Sequence, residues 1–323
     1  MGEWGMEGKK VSVFIPARNE EGNVRHVIEK TVKAFLDNGL DGEIIFVNDG
    51  STDGTRQEAE ECARLYPCLK VINHRRSLGL TAAMRTGFRH ISGDVVIFLP
   101  ADMESDPEED IPKLLCKMSE GYDVVAGWRQ GRQDGKLLAS KVYNFVSRLL
   151  FNLEAHDMNW IKAFRREVVE EIHLRSDWHR FILMIAAEKG YRIGEVKTNY
   201  YPRKRGKSKF GLGRHVVSLL DVLVVKFLMT FSERPMLFFG SLALALIVGA
   251  GLIGLVLIYL WFAFYMQKRP FMFLAGGMFL AGLLLFLVGF LAELVVSQRE
   301  HIEDLERAVR ELSDRLDEMG NGS

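Results

Sequence analysis

The chain has 323 residues, and its 42 lysines and arginines are balanced by 42 aspartates and glutamates; the length gives room for about two domains and the balance excludes the overall basic excess of a general nucleic-acid binder. Its 3 cysteines, Cys62, Cys68 and Cys116, have neither CxxC nor histidine-partner spacing, so they read as reduced residues of a cytosolic chain and not as a disulfide or zinc framework. Glu3, Glu7, Lys9 and Lys10 precede the first apolar run, so no signal peptide is expected.

Lys10–Pro16 (KVSVFIP) reads as a strand entering a polar turn over Ala17–Asn23. Val24, Val27, Ile28, Thr31, Val32, Phe35 and Leu36 then recur at helical spacing until Gly39. Glu43–Val47 predicts a second strand, ending in Asn48-Asp49-Gly50-Ser51-Thr52-Asp53-Gly54-Thr55 before a helix over Thr55–Tyr66. Strand, acidic glycine-rich turn and helix form the βαβ pattern of a nucleotide-binding half-sheet. The turn has neither the GxGxxG of dinucleotide binders nor the GxxxxGK[ST] of P-loops; an aspartate at a strand's carboxyl end instead suits hydrogen bonding to a ribose or base edge. A strand over Leu69–Asn73 and a helix over Leu78–His90 continue the alternation.

Val95–Leu99 is an apolar, β-branched run that stops at Pro100 and delivers Asp102, Glu104 and Asp106 just beyond its end. Ligands of open α/β sheets bind at that edge, and hard carboxylate oxygens suit Mg²⁺ or Mn²⁺ shared with a phosphate; a solvated acidic loop is the plainer reading. Ile111–Glu120 reads as a helix, Asp123–Ala126 as a strand, and Gly127–Lys136 as a mobile basic loop, either a holder of an anionic acceptor or ordinary surface. Helices over Lys141–Leu150 and Ser176–Gly190, the latter preceded by Asp157–Arg166 leading into another helix, and a strand over Glu195–Tyr200 follow. His179, between Trp178 and Phe181, reads more readily as packing than as a general base.

Met236–Phe264 and Phe271–Ala292 contain no charged residue, and each exceeds the roughly 20 residues that cross about 30 Å of hydrocarbon. Two spans joined by a tight hairpin return the chain to its starting side. Arg203, Lys204, Arg205, Lys207, Lys209 and Arg214 before the first span outweigh Lys268 and Arg269 in the hairpin, which places both termini in the cytosol. The block Arg203–Lys209 suits lipid headgroups or a phosphate, and Val216–Met229, with Arg214, Ser218 and Asp221 along one side, reads as a helix lying in the interface. In the tail, Ile302, Leu305, Val309, Leu312, Leu316 and Met319 follow an a/d seam, so a homo-oligomer joined by a parallel coiled coil is expected, with a single docked amphipathic helix as the alternative.

Several marks stand in a fixed order: Pro16-Ala17-Arg18-Asn19-Glu20, Asn48-Asp49-Gly50-Ser51-x-Asp53-Gly54-Thr55, Asp102, Gly127-Trp128-Arg129, Lys162-Ala163-Phe164-Arg165-Arg166 and Arg203-x-x-Gly206-Lys207-Ser208-Lys209. On these the chain resembles the family 2 glycosyltransferases of the dolichyl/polyprenyl-phosphate sugar synthase type, over Val11–Gly211. The resemblance implies an α/β GT-A domain, a Rossmann-like, mostly parallel sheet binding a nucleotide-sugar of GDP-mannose or UDP-glucose type. Its hexose would pass, with inversion, to a polyprenyl or dolichyl phosphate at the cytosolic membrane face. By match to the family, Pro16, Arg18, Glu20 and Asp49 contact the nucleotide-sugar. Asp102 with Glu104, which replaces a glutamine, holds Mg²⁺ or Mn²⁺ on the diphosphate. Arg129, Lys136 and Ser140 hold the acceptor phosphate, and Arg203 closes over the donor phosphates; Asp102, Arg129 and Arg203 are the catalytic set.

Residues 1–212 would be the cytosolic catalytic domain, 213–234 the interfacial helix, 235–297 the transmembrane pair (236–264 and 271–295) and 298–323 the coiled-coil tail. One departure stands out: Pro100 occupies the place of the first aspartate of the family's Asp-x-Asp. Either Glu104 or Asp106 compensates, or the diphosphate holds the metal. A polysaccharide synthase would need a Gln-x-x-Arg-Trp motif and more spans; a transferase-like scaffold acting through its tail is the non-catalytic alternative.

Overall fold

The computed structural model describes residues 8–131, 155–172, 174, 178–202, 235–266 and 268–321. The chain divides into two compact units, Met1–Val222 and Leu223–Ser323.

The first unit is built on a seven-stranded sheet, β1 (Lys10–Ala17), β2 (Asp41–Asn48), β3 (Leu69–Asn73), β4 (Val95–Phe98), β5 (Val124–Gln130), β6 (Lys162–Arg165) and β7 (Ile193–Asn199), in the order β3-β2-β1-β4-β6-β5-β7. β1 pairs in parallel with β2 on one side and β4 on the other, so the strand order reverses at β1 and opens a crevice at the carboxyl edge. Val11, Val13 and Ile15 of β1 join a core with Val24, Val27 and Ile28 of α1 (Val24–Asn38) and Ile111, Leu114 and Leu115 of α4 (Pro107–Ser119). On the other face Phe14 meets Phe88 of α3 (Leu80–Phe88) edge-on, with ring centroids 5.6 Å apart. α2 (Thr55–Leu65) links β2 to β3. A central strand buried on both faces needs an apolar run, which Val13-Phe14-Ile15 supplies, and the buried Ser12 before it is satisfied by Glu43.

Several expectations shift. Gly127–Gln130 are not loop but the end of β5, because β7 pairs with them in parallel, Arg129 opposite Thr198. Gly127 is required there: a Cβ would press on Ile161 and Trp160. Lys162–Arg165 is an antiparallel strand wedged between β4 and β5, where the sequence showed only a lead into a helix, here α5 (Arg166–Glu171). The helix expected over Ser176–Gly190 is a 3₁₀ turn, Trp178–Phe181, followed by α6 (Ile182–Glu188). The helices expected over Lys141–Leu150 and Val216–Met229 lie outside the described residues.

In the second unit, α7 (Pro235–Phe264) and α8 (Arg269–Asn321) are each long and apolar enough to cross a membrane, and only 11% of each apolar window is buried. They form a close antiparallel pair. Gly282 faces Ile247 and the carbonyl of Ala243, and Gly289 faces Phe239, so the missing side chains let the two backbones approach. α8 runs without a break from the second apolar stretch into the heptad tail, where Ile302, Leu305 and Val309 are exposed. Glu293, just past the charge-free run, accepts a hydrogen bond from the Met236 backbone N–H at 3.0 Å. That N–H belongs to the first turn of α7 and has no intrahelical partner. Glu293→Ala therefore costs about 1–2 kcal/mol, read as a lower thermal midpoint of the detergent-solubilised chain, whereas Glu293→Gln retains the acceptor oxygen and most of the stability. An unchanged midpoint in the alanine variant rules this clamp out.

Candidate active site

The exits of β1 and β2 are laced together. Asn19, at a left-handed φ of 56°, accepts from Thr52 N at 2.9 Å and donates its own N–H to Ser51 Oγ at 3.0 Å. Glu20 N donates to Thr55 Oγ1 at 2.8 Å, and the Glu20 carboxylate accepts from Asn23 Nδ2. Pro16, half-buried, stands opposite Val47, and Arg18 is exposed beside them. Gly50, at φ 60°, lies against the backbone of Arg76 and Ser77, so a Cβ there would collide with main chain.

Asp49 is 5% exposed. Its carboxylate accepts from His74 Nδ1 (2.8 Å), Ser77 Oγ (2.8 Å), Leu78 N (2.8 Å) and Gly79 N (3.0 Å). Burial alone would raise its pKa; the donors from Leu78, His74, Ser77 and Gly79 outweigh it and hold the carboxyl below its ordinary value. A carboxylate offers about four lone-pair sites, and all are taken. Asp49 therefore fixes the 74–79 segment along the crevice floor, and any nucleotide edge it meets must displace one of these donors.

At the exit of β4, Asp102 is 8% exposed and its Oδ1 accepts from Glu104 N at 3.2 Å, across Met103 at a left-handed φ of 57°. Glu104 is half-buried beside it. Asp106 is not a third member of this group: it caps α4 through Glu108 N and pairs with Lys30 Nζ at 2.5 Å. Asp110 completes the cap by accepting from Asp106 N, and burial pushes its carboxyl up to about 7. Among the described residues no three histidine, cysteine or acidic side chains converge as a metal cage. One or two carboxylates that share a cation with substrate phosphates are the usual provision for Mg²⁺, and Asp102 with Glu104 fits it.

Across β6 from Asp102, Arg129 on β5 is gripped by Asp157, Nε to Oδ2 at 2.5 Å and Nη2 to Oδ1 at 3.0 Å, with the two side chains 12% and 10% exposed. Its guanidinium lies 4.7 Å over the Trp160 ring, and Trp160 Nε1 donates to Thr198 Oγ1. A guanidinium has five N–H donors. Asp157 takes two along one edge, and three remain for an anion. On the opposite face of β5, Trp128 stacks on His156, which is bound to Glu195.

The residues after β7 are tied to the same edge. Tyr201 N donates to the Glu104 carbonyl at 2.9 Å, and Tyr201 Oη and Asn199 Nδ2 both donate to Glu109 at 2.8 Å. Those bonds, Tyr201's first, hold the Glu109 carboxyl below its ordinary range. The segment leading to Arg203 thus starts beside the Asp102 loop. Arg203, Lys136 and Ser140 lie outside the described residues. His179 Nδ1 sits 2.9 Å from Thr81 Oγ1, joining the 3₁₀ turn to α3.

The contacts of Asp157 with Arg129 and of Glu109 with Tyr201 and Asn199 had no signal in the sequence. Asp157 precedes an apolar run like many loop aspartates, and only the fold shows that it meets Arg129, a residue 28 positions away.

The glycosyl transferase family 2 model matches residues 12–184. The chain is 30% identical over 303 residues to dodecaprenyl-phosphate galacturonate synthase of Rhizobium johnstonii, covering 90% of this chain and 88% of that protein. It is 33% identical over 255 residues to undecaprenyl-phosphate 4-deoxy-4-formamido-L-arabinose transferase of Klebsiella pneumoniae, covering 77% and 76%. Among solved structures, glucosyl-3-phosphoglycerate synthase of Mycobacterium tuberculosis, in complex with Mn²⁺, UDP-glucose and phosphoglyceric acid, shares the fold with a TM-score of 0.56 at 21% identity, over 68% of this chain and 80% of that one.

Proposed function

The chain belongs to glycosyl transferase family 2, and from that premise we propose that it is a membrane enzyme transferring a sugar from a nucleotide-sugar to polyprenyl phosphate, with inversion at the anomeric carbon. One observation carries the reading. A buried carboxylate, Asp102, and a braced arginine, Arg129, stand at the same carboxyl edge of one sheet on the two sides of β6, in a chain that also has two helices able to cross a membrane. The names of the two curated relatives support a polyprenyl-phosphate acceptor.

The donor's nucleotide lies along Pro16, Arg18, Glu20 and the loop that Asp49 holds. Its diphosphate reaches Asp102 and Glu104. Mg²⁺ or Mn²⁺, held there, supplies charge neutralisation of the leaving diphosphate. Arg129, aided by Lys136 and Ser140, presents the acceptor phosphate, and Arg203 closes over the donor. One phosphate oxygen then bonds to the anomeric carbon as the bond to the nucleoside diphosphate breaks. The nucleophile is already an anion, so no proton has to be removed and no general base is needed. What the protein supplies is approach and charge, since two anions must meet.

Residues 1–212 form the catalytic domain, 213–234 the interfacial helix, 235–297 the transmembrane pair and 298–323 the tail. The basic block before the first span supports a cytosolic catalytic domain and cytosolic termini. The exposed Ile302, Leu305 and Val309 pair with a second copy in a coiled coil. The sugar is a hexose or a relative of one. GDP-mannose and UDP-glucose lead the donor panel, which also takes in uronic-acid and amino-sugar donors because the relatives are named for such sugars.

The test uses detergent-purified full chain, Mg²⁺ or Mn²⁺, a panel of labelled nucleotide-sugars and a short polyprenyl phosphate, scoring label in the organic phase. Transfer from one donor establishes the reaction and names the sugar. Nucleotide binding without transfer from any donor means either a sugar outside the panel or a transferase-like scaffold, the reading that Pro100 in place of a carboxylate favours, and changing Pro100 back to Asp is then the next variant to assay.

A further inference from the structure

Lys162 is 3% exposed and heads β6, level with Phe98 of β4 on one side and Ala126 of β5 on the other. β6 runs antiparallel to both neighbours, so its first residue lies at their carboxyl edge, between the strand that delivers Asp102 and the strand that carries Arg129. Its ammonium donates to the Trp160 carbonyl at 2.7 Å and lies 5.7 Å from the centre of the Phe98 ring. Among the described residues, the charged groups it feels are Asp157, from the loop before β6, and Arg129, from β5. β4 presents the Phe98 ring, and β7 the neutral Thr198, bonded to Trp160.

Among the described residues two cations thus share a single carboxylate, and that carboxylate is already taken by Arg129. A buried charge is costly unless a counter-charge accompanies it, so this cluster is one negative charge short. We infer that Lys162 is a positioning residue for the acceptor phosphate: its charge supplies the excess that draws a phosphate dianion onto Arg129 and offsets the repulsion between that phosphate and the donor diphosphate, without touching either. The inference rests on the acceptor role given to Arg129.

Burial pushes the Lys162 ammonium down to about 8, so the excess charge is present below that pH and lost above it. A phosphate monoester has its second pKa near 6 and does not titrate in that range. The experiment is a pH series of transfer to a short polyprenyl phosphate by the full chain in detergent. In the native protein kcat/KM for the acceptor falls above about pH 8 while kcat does not, because kcat/KM reports the free enzyme and kcat the complex. K162R keeps its charge throughout and abolishes the break. K162M keeps the packing, shows no break, and raises the acceptor KM about tenfold at neutral pH, with donor KM within about twofold. Should K162M fail to fold, the K162R profile decides alone. A break that persists in K162R, or an acceptor KM that K162M leaves unchanged, overturns the inference. R129M in parallel separates the premises: unchanged acceptor KM in R129M overturns the acceptor role of Arg129 itself, whereas impaired R129M beside unaffected Lys162 variants overturns Lys162 alone.

Discussion

Arg129→Met lowers kcat/KM for polyprenyl phosphate at least about 10²-fold while leaving nucleotide-sugar affinity within about threefold. The size follows from what is removed. A guanidinium fork on a phosphate makes charge-assisted bonds in a site whose side chains are about nine-tenths buried, and losing one partner of such a pair costs about 3–5 kcal/mol. Arg129→Lys does not restore activity, because an ammonium cannot brace on Asp157, stack over Trp160 and still offer a planar pair of donors. Asp157→Asn keeps the shape and loses the charge. It loosens the guanidinium's orientation and raises the acceptor KM about tenfold, with a smaller change in kcat. Steady-state kinetics with acceptor and donor varied separately, beside thermal melts to confirm folding, checks all three. Wild-type acceptor kinetics in a folded Arg129→Met would make the Arg129–Asp157 pair purely structural.

The sequence was legible where local pattern and tertiary packing agree. β2, β4 and the two apolar helices follow from uninterrupted hydrophobic runs, and Gly39 ends α1 in the left-handed conformation that glycine favours. It was opaque where tertiary pairing decides. β6 has four residues with a lysine at its head and an arginine at its end, a composition that only burial between two strands makes a strand. Gly127-Trp128-Arg129-Gln130 look like loop until β7 pairs with them. α4 begins at Pro107 and not near Ile111, because Asp106 caps it, and this in turn withdraws Asp106 from the acidic group after β4. The candidate site divides in the same way. Pro16, Arg18, Glu20, Asp49 and Asp102 were placed at strand ends because a strand followed by polar residues can be read directly. Asp157 and Lys162 matter through contacts across the sheet, which no spacing in the chain records.

Asp102→Asn lowers kcat/KM for the nucleotide-sugar by about 10²- to 10³-fold. Asparagine retains an Oδ1 that can accept from Glu104 N, so the turn across Met103 survives; what is lost is the negative charge that fixes a divalent cation on the diphosphate. Glu104→Gln has a smaller effect, about tenfold, since the neighbouring carboxylate remains. The metal dependence gives an independent reading. With Asp106 committed to Lys30 and the α4 cap, Asp102 and Glu104 are, among the described residues, the two carboxylates left for the proposed cation, and half-maximal activity is then expected to require more Mn²⁺ than a site with a third carboxylate would. Pro100→Asp supplies that group at the end of β4, and it lowers the half-maximal Mn²⁺ concentration about tenfold without altering the acceptor KM. Metal titrations of transfer by the native chain and the three variants make the comparison. Unchanged turnover in Asp102→Asn refutes the metal role of Asp102, and an unchanged Mn²⁺ requirement in Pro100→Asp means the diphosphate, not the strand end, sets metal affinity.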